Sequence, residues 1–377
     1  MISYKQLSLA DIFSDCKEKF ENNKYQFLSL LENTIDLDEL VSVSFLNHFY
    51  AYTGRPRKYQ LYAMLRALIL QRIFSIPTDS LLIIFLKYSQ ELRDFCGFSK
   101  VPDASKFTRF KQDFLLDLQS MFDHLVDITE PICQQIDASL ASMTIFDTSG
   151  IEAFVTENNP KYANRIIKQL KAFKKINGLG DSYDPYKAAY GSMPSHSKSN
   201  PAIQQMYING HFCYSYKFGI ITNGLGIVRD ISFYNQEFLK SHLRSGIPSI
   251  KHVCPKMKWV YNKETKKSKR VTLCENPCTN SSCGRMFYIY PEKNLRAYPG
   301  TTRGTQEWED TYKIRSAVEK NINHFKNSYC IADRKTQNEK TLHADLLLAG
   351  ITQLITVVVA DKIHKHKYIR SLRPLIA

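Results

Sequence analysis

SMTIFDTSG, residues 142–150, is the stretch on which the fold turns. Its first five residues form a short β-rich run, and the run stops on the carboxylate of Asp147, followed by Thr148-Ser149-Gly150. Everything before it reads as helix, whereas strand-like and helical segments mix after it. The expected fold class is therefore α+β or α/β. An all-helical region over residues 1–140 precedes a sheet-containing domain over residues 141–377.

On the helical side, residues 59–74 carry Leu61, Met64, Leu65, Leu68 and Ile69 at the spacing of one helix face. Arg55, Arg57 and Lys58 precede this helix and Pro77 ends it. Asp79 is placed to cap a second helix, apolar from Leu81 to Leu86 and running to about Phe95, where Gly97 supplies the stop. Pro102-Asp103 opens a third, short helix with Lys106, Phe107, Arg109, Phe110 and Lys111. A helix, a turn and a short basic helix match a helix-turn-helix arrangement, which makes Lys106 and Arg109 candidate DNA contacts. Helical bundles with no nucleic-acid partner show the same spacing.

On the other side, residues 159–177 return to helical periodicity. Tyr162, Ile166, Leu170 and Phe173 fall on one face, and Lys161, Arg165, Lys168, Lys171 and Lys175 on the other. That outer face reads equally as a solvated surface or a phosphate-contacting one. Residues 178–201 form a loop rich in Gly, Ser and Pro. Two strand-like runs, 211–222 and 226–233, are joined by Asn223-Gly224, a hairpin signal. Residues 251–304 are basic, cysteine-containing and turn-rich, as in an inserted subdomain. A long helix is expected from Gln306 to about Lys326, then a buried helix from near Thr341. Its most apolar part, 346–360, is broken by Thr352, Gln353 and Thr356 and is too short to span a bilayer.

Composition narrows the partners. Fifty-one Lys and Arg against 36 Asp and Glu give a net charge of +15 on 377 residues. Such a surplus suits a polyanion, with nucleic acid ahead of an acidic membrane, and a basic housekeeping enzyme is the plain alternative. The opening residues MISYKQLSLADIF lack the pattern of a signal peptide. Nine cysteines without that signal argue against a disulfide framework. The expectation is a cytoplasmic, nucleoid-associated protein with no membrane association.

The residues richest in chemistry are Tyr312, Arg315, Glu319 and Lys326, spaced Y-x2-R-x3-E-x6-K. At about 100° per residue they fall within an arc of roughly 60° on one helix. A phenol, a guanidinium, a carboxylate and an ammonium in line suit phosphodiester chemistry, because the carboxylate can hold a divalent metal and the cations phosphate oxygens. An exposed helix with an ordinary Arg-to-Glu pair is the competing reading.

This spacing resembles the signature of insertion-sequence D-D-E transposases of the IS-four and IS-five type. Residues 54–110, with Phe95-Cys96-Gly97 and Pro102-Asp103-Ala104-Ser105, look like the helical transposase N-terminal domain. Asp147-Thr148-Ser149 looks like the first catalytic aspartate on the first strand of a ribonuclease-H-like sheet. Arg296-x-Tyr298-Pro299-Gly300 and Arg303-Gly304-Thr305 also look like family sequence. The resemblance covers residues 40 to 360 and implies Asp147 and Glu319 as catalytic ligands of Mg²⁺ in a two-metal site. It further implies Tyr312, Arg315 and Lys326 as phosphate contacts. The partner would be double-stranded DNA at the terminal inverted repeats of a transposon, bound by a homo-oligomer that cleaves strands and transfers them.

One element of that pattern is missing. The second aspartate should follow the strand at 226–233, yet no Asp occurs from Ile231 through Glu309. About fifteen residues separate Asn235 from Ile250, too few for a crossover and a further strand. Asp230 lies too early and Asp310 on the glutamate helix. The expectation is therefore a degenerate transposase, with a non-catalytic DNA-binding remnant that competes for transposon ends as the alternative. Cys254, Cys274, Cys278 and Cys283 are candidate structural Zn²⁺ ligands, although their spacing is not the tight C-x2-C pair.

Overall fold

The computed structural model describes residues 27–51, 56–208, 211–234, 250–253, 257–262, 267–273, 286–289, 306–333, 336 and 338–376. The chain divides into two compact units, Met1–Tyr234 with Ile314–Ala377, and Asn235–Lys313. Helix and sheet are mixed, as the change of character at residue 142 requires.

The first unit begins with short helices whose boundaries follow their caps. Ser42 accepts from the Phe45 amide at 3.2 Å and opens Val43–Phe49. Leu61–Ile73 follows, buried on almost every side. The helix after it starts one residue earlier in its capping than the sequence suggested. Thr78, not Asp79, accepts from the Leu81 amide at 3.2 Å, because the Asp79 carboxylate is engaged elsewhere. The expected single helix to Phe95 is also two, Asp79–Tyr88 and Gln90–Cys96. Ser89 ends the first and caps the second, accepting from Leu92 at 3.3 Å. Gly97 then stops the chain in the left-handed region at φ +83°, as expected. Ala104–Asp113 and the long Leu115–Ile136 complete this helical part.

The sheet has four strands: β1 (Ile145–Glu152), β2 (Gln204–Ile208), β3 (His211–Thr222) and β4 (Val228–Tyr234). All pairings are antiparallel. β1 runs along one edge of β3, from Ile145 opposite Thr222 to Glu152 opposite Ser215. β2 and β4 share the other edge, β2 beside residues 211–215 and β4 beside 217–222. Directly opposed residues share a sheet face. Asp147 therefore lies on the face of Ile220 and Ile231, with Ile151, Tyr216, Phe218 and Phe233. That face is the core face, since Tyr216, Phe218 and Ile220 are buried.

The expected hairpin joins β3 to β4, but its turn spans residues 223–227 rather than Asn223-Gly224 alone. Asn223 Oδ1 accepts from the Ile227 amide at 3.0 Å, and Gly226 takes the positive φ of +77°. Gly224 is small for another reason: a Cβ there would lie 2.9 Å from the Leu140 carbonyl oxygen.

The centre of the unit is the Glu339–Lys362 helix, called here the core helix, which is buried around its whole circumference. It packs on Leu61–Ile73, Ala104–Asp113, Leu115–Ile136 and β4. Gly350 allows the approach, because a Cβ there would stand 2.6 Å from the Phe122 ring and 2.9 Å from Ile231. Its polar side chains are all used: Thr352 and Thr356 bond back to Leu348 O and Thr352 O at 2.7 and 2.8 Å, and Gln353 accepts from the Val228 amide at 3.0 Å. It is the one described helix long and apolar enough to cross a membrane, and 89% of its most apolar window is buried in the protein.

The second unit, taken alone, holds two hairpin-like pairs. β5 (Ile250–Val253) pairs with β8 (Met286–Ile289), and β6 (Met257–Asn262) with β7 (Lys267–Thr272).

Candidate functional site

Asp147 sits third in β1, half-buried, and one of its carboxylate oxygens accepts from the Thr148 amide at 2.8 Å. Glu319 sits on the helix Ser316–Asn323, exposed, with Arg315 Nε 3.9 Å from its carboxylate. That pair is the ordinary helical contact expected at this spacing and adds little energy, about 0.3–0.5 kcal/mol. The Glu319 helix packs on β1 and β3. Its buried side chains Val318 and Ile322 enter the core, and Asn321 Nδ2 donates to Gly226 O and Gln353 Oε1, both at 2.9 Å.

The direction of this helix along β1 can be traced. Near its start, the Ala317 carbonyl lies beside Gly226, at the hairpin tip, where Ile145 faces Thr222. Beyond its end, Ala332 and Asp333 line a cavity of about 980 Å³ with Glu152, Ala153 and Phe154, where β1 finishes. Glu319 therefore lies toward the half of β1 that carries Asp147.

The expected single helix from Gln306 to Lys326 is instead three pieces. Gln306–Ile314 ends at Arg315, Ser316–Asn323 follows, and His324–Ser328 is a π-helical turn. Arg315 keeps right-handed dihedrals (φ −52°, ψ −30°), and nothing in its neighbours marks the break. Lys326 thus stands on a π turn, where its rotation from Glu319 differs from an α-helix. It is half-buried, and desolvation lowers its pKa while the neighbouring Cys213 thiol acts in the opposite sense. Tyr312 belongs to the second unit and stacks on Trp308, with centroids 4.8 Å apart at 16°.

Asp230 is excluded by register as a stand-in for the missing aspartate. It opposes Ile221 on β3, so it lies on the opposite sheet face from Asp147, and Ser232 Oγ donates to it at 2.7 Å. Among the described residues, no three His, Cys, Asp or Glu side chains are grouped closely enough to hold a metal ion. Glu237 lies outside the described residues. So do the zinc candidates Cys254, Cys274, Cys278 and Cys283, and the Arg296–Thr305 stretch.

A second constellation lies among the N-terminal helices. Lys106 and Arg109, both exposed, line a small cavity of about 140 Å³ with Arg57 and Lys58. The Arg57 guanidinium is 5.2 Å from the centroids of both the Phe49 and Phe114 rings, and its Nε donates to Phe49 O at 3.2 Å. Four cations thus converge on one notch. Sequence reading marked Arg57 and Lys58 only as a preface to a helix, because nothing in their spacing says that they fold back beside residue 106.

Lys111, the third cation of the expected basic helix, faces the other way. It is buried, and its Nζ donates to Asp79 at 2.8 and 3.0 Å and lies 2.9 Å from Asp345. Asp345 also pairs with buried Arg72, whose guanidinium donates to Tyr329 O at 3.2 Å. Two cations and two carboxylates form a closed internal network, so Lys111 is a structural residue.

Residues 14–113 match the family model of a transposase domain (DUF772). That stretch includes Arg57, Lys58, Lys106, Arg109 and Lys111 and ends before β1. The match supports a transposase family for this region. No curated protein and no solved structure matches the chain.

Proposed function

We propose that this chain is an insertion-sequence transposase of the D-D-E type, built on a ribonuclease-H-like sheet, whose carboxylate set is incomplete. The observation that carries the reading is the pairing of two features. An antiparallel β1–β3–β4 meander bears Asp147 on its first strand, with the Glu319 helix packed on it, and the transposase-domain match precedes it. Lys106 and Arg109, with Arg57 and Lys58, supply the cationic surface for phosphates of a DNA duplex at transposon ends.

The family's chemistry calls for Mg²⁺ ions held by three carboxylates. Asp147 and Glu319 offer two, and Asp230 faces away from them, so the described donor set does not fit a complete two-metal site. No cleavage step is assigned to this chain. Its retained activity is recognition of DNA ends, in competition with a complete relative.

The test pairs two assays on purified full-length protein. Gel-shift on end-containing duplex should show binding that weakens steeply with salt. Nicking and strand transfer in Mg²⁺ or Mn²⁺ should be absent. Cleavage that is abolished by Asp147→Ala would mean that a further ligand completes the site and would overturn the degenerate reading.

A further inference from the structure

Between β1 and β2 the chain inserts two helices, Pro160–Ile176 and Pro185–Ser192, which pack on each other. Asn159 caps the first, accepting from the Lys161 amide at 3.0 Å. This 17-residue helix holds Lys161, Arg165, Lys168, Lys171, Lys174 and Lys175 and no acidic residue. Ile167 is buried, and Tyr162, Ala163, Ile166 and Leu170 are half-buried, which fixes the inward side. Lys161, Arg165, Lys168 and Lys175 point the other way, within an arc of roughly 80° on the helical wheel. All four are exposed.

The neighbouring cations are already engaged. Lys174 pairs with Asp181 at 3.6 Å, and Lys171 Nζ donates to the Tyr186 hydroxyl at 2.8 Å and lies 4.6 Å from its ring centroid. Those contacts tie the first helix to its partner and to the following loop. The four outward cations have no carboxylate partner among the described residues. From Lys161 to Lys175 they cover about 21 Å, at 1.5 Å per residue. That length spans about six phosphates of one strand of a duplex at 3.4 Å spacing.

We infer that the outward face of Pro160–Ile176 is a second DNA-binding surface, which grips the sugar-phosphate backbone of a duplex without reading its sequence. The inference rests on the proposed DNA-binding function and adds a contact far along the chain from the Lys106 notch. Charge complementarity selects the occupant: a continuous cationic track with no acidic interruption, on a chain of net charge +15. A membrane surface fits less well. A membrane-bound amphipathic helix sinks its apolar face into the bilayer, and here most of that face lies against the protein.

The experiment compares the full-length parent with a variant carrying Lys161→Gln, Arg165→Gln, Lys168→Gln and Lys175→Gln, and with a second variant in which the three lysines become arginine. Binding to terminal-repeat duplex and to an unrelated duplex is measured across salt concentrations. Loss of four phosphate contacts should reduce the slope of log affinity against log salt by about 3.6, equally for both duplexes. The arginine variant should keep the parent's slope, and all three proteins should share one thermal melt. A glutamine variant with the parent's slope, or equal weakening in the arginine variant, overturns the inference while leaving the notch reading intact. Absence of DNA binding by the parent overturns both. Co-sedimentation of the parent with phosphatidylserine vesicles, lost in the glutamine variant while duplex binding is unchanged, also overturns it and assigns the face to a membrane.

Discussion

Asp345 holds two buried cations at once, so its loss would strand Arg72 and Lys111 in the interior without a full set of counter-charges. Asp345→Ala should lower stability by about 3–5 kcal/mol, read as a shift in the urea midpoint at unchanged slope. His324 provides a second test. It is largely buried and its pKa is pushed down to about 4, first by desolvation and then by Arg373. Because the folded value lies below the unfolded value near 6.5, the unfolded chain binds the extra proton. Its stabilising contribution is complete above pH 6.5 and falls away as pH drops toward 4, on the order of 3 kcal/mol over that window. His324→Phe should flatten the decline of urea-derived stability between pH 6.5 and 4, and an unchanged slope would contradict the assignment. At this scale, sequence marked Asp147, Glu319, Lys106 and Arg109 from their types and spacing. It could not separate Lys111 from its exposed neighbours Lys106 and Arg109, because the carboxylate that draws it inward is 234 residues away in sequence.

Helices with strong local signals were legible in the sequence, and those shaped by distant contacts were not. Gly97 ends Gln90–Cys96 because it alone tolerates the left-handed turn, a cue written in one residue. The break at Arg315 and the π turn after His324 carry no such cue. They arise where Phe325, Tyr329 and Ile331 are drawn into the core. The sheet face of Asp230 was equally hidden, since a one-residue change of register would have reversed it. Gly350 gives the sharpest test of an element. In isolation, Gly350→Ala should favour the core helix by roughly 1 kcal/mol. In the folded protein the new methyl meets Phe122 and Ile231, and the variant should be destabilised by about 1–3 kcal/mol in thermal or urea melts. A stabilised variant would show that the helix can retreat from β4.

At the level of the molecule, the helices at the start of the chain and the core helix near its end share one interior. Leu61–Ile73, Ala104–Asp113 and Leu115–Ile136 all lie against Glu339–Lys362, which closes over Phe122, Arg72 and Lys111. A fragment of residues 1–140 should therefore fail to melt cooperatively and should bind a hydrophobic dye. Adding a 336–365 peptide should restore a sigmoidal transition. A fragment that unfolds cooperatively alone would overturn this dependence. The same closure has a consequence during synthesis. Arg72 leaves the ribosome 273 residues before Asp345. At about 5–20 residues per second, the nascent helices spend roughly 15 to 55 seconds without the strand of chain that seals them. During that interval they are clients for holding chaperones, and messenger truncated before residue 339 yields a product fated for proteolysis.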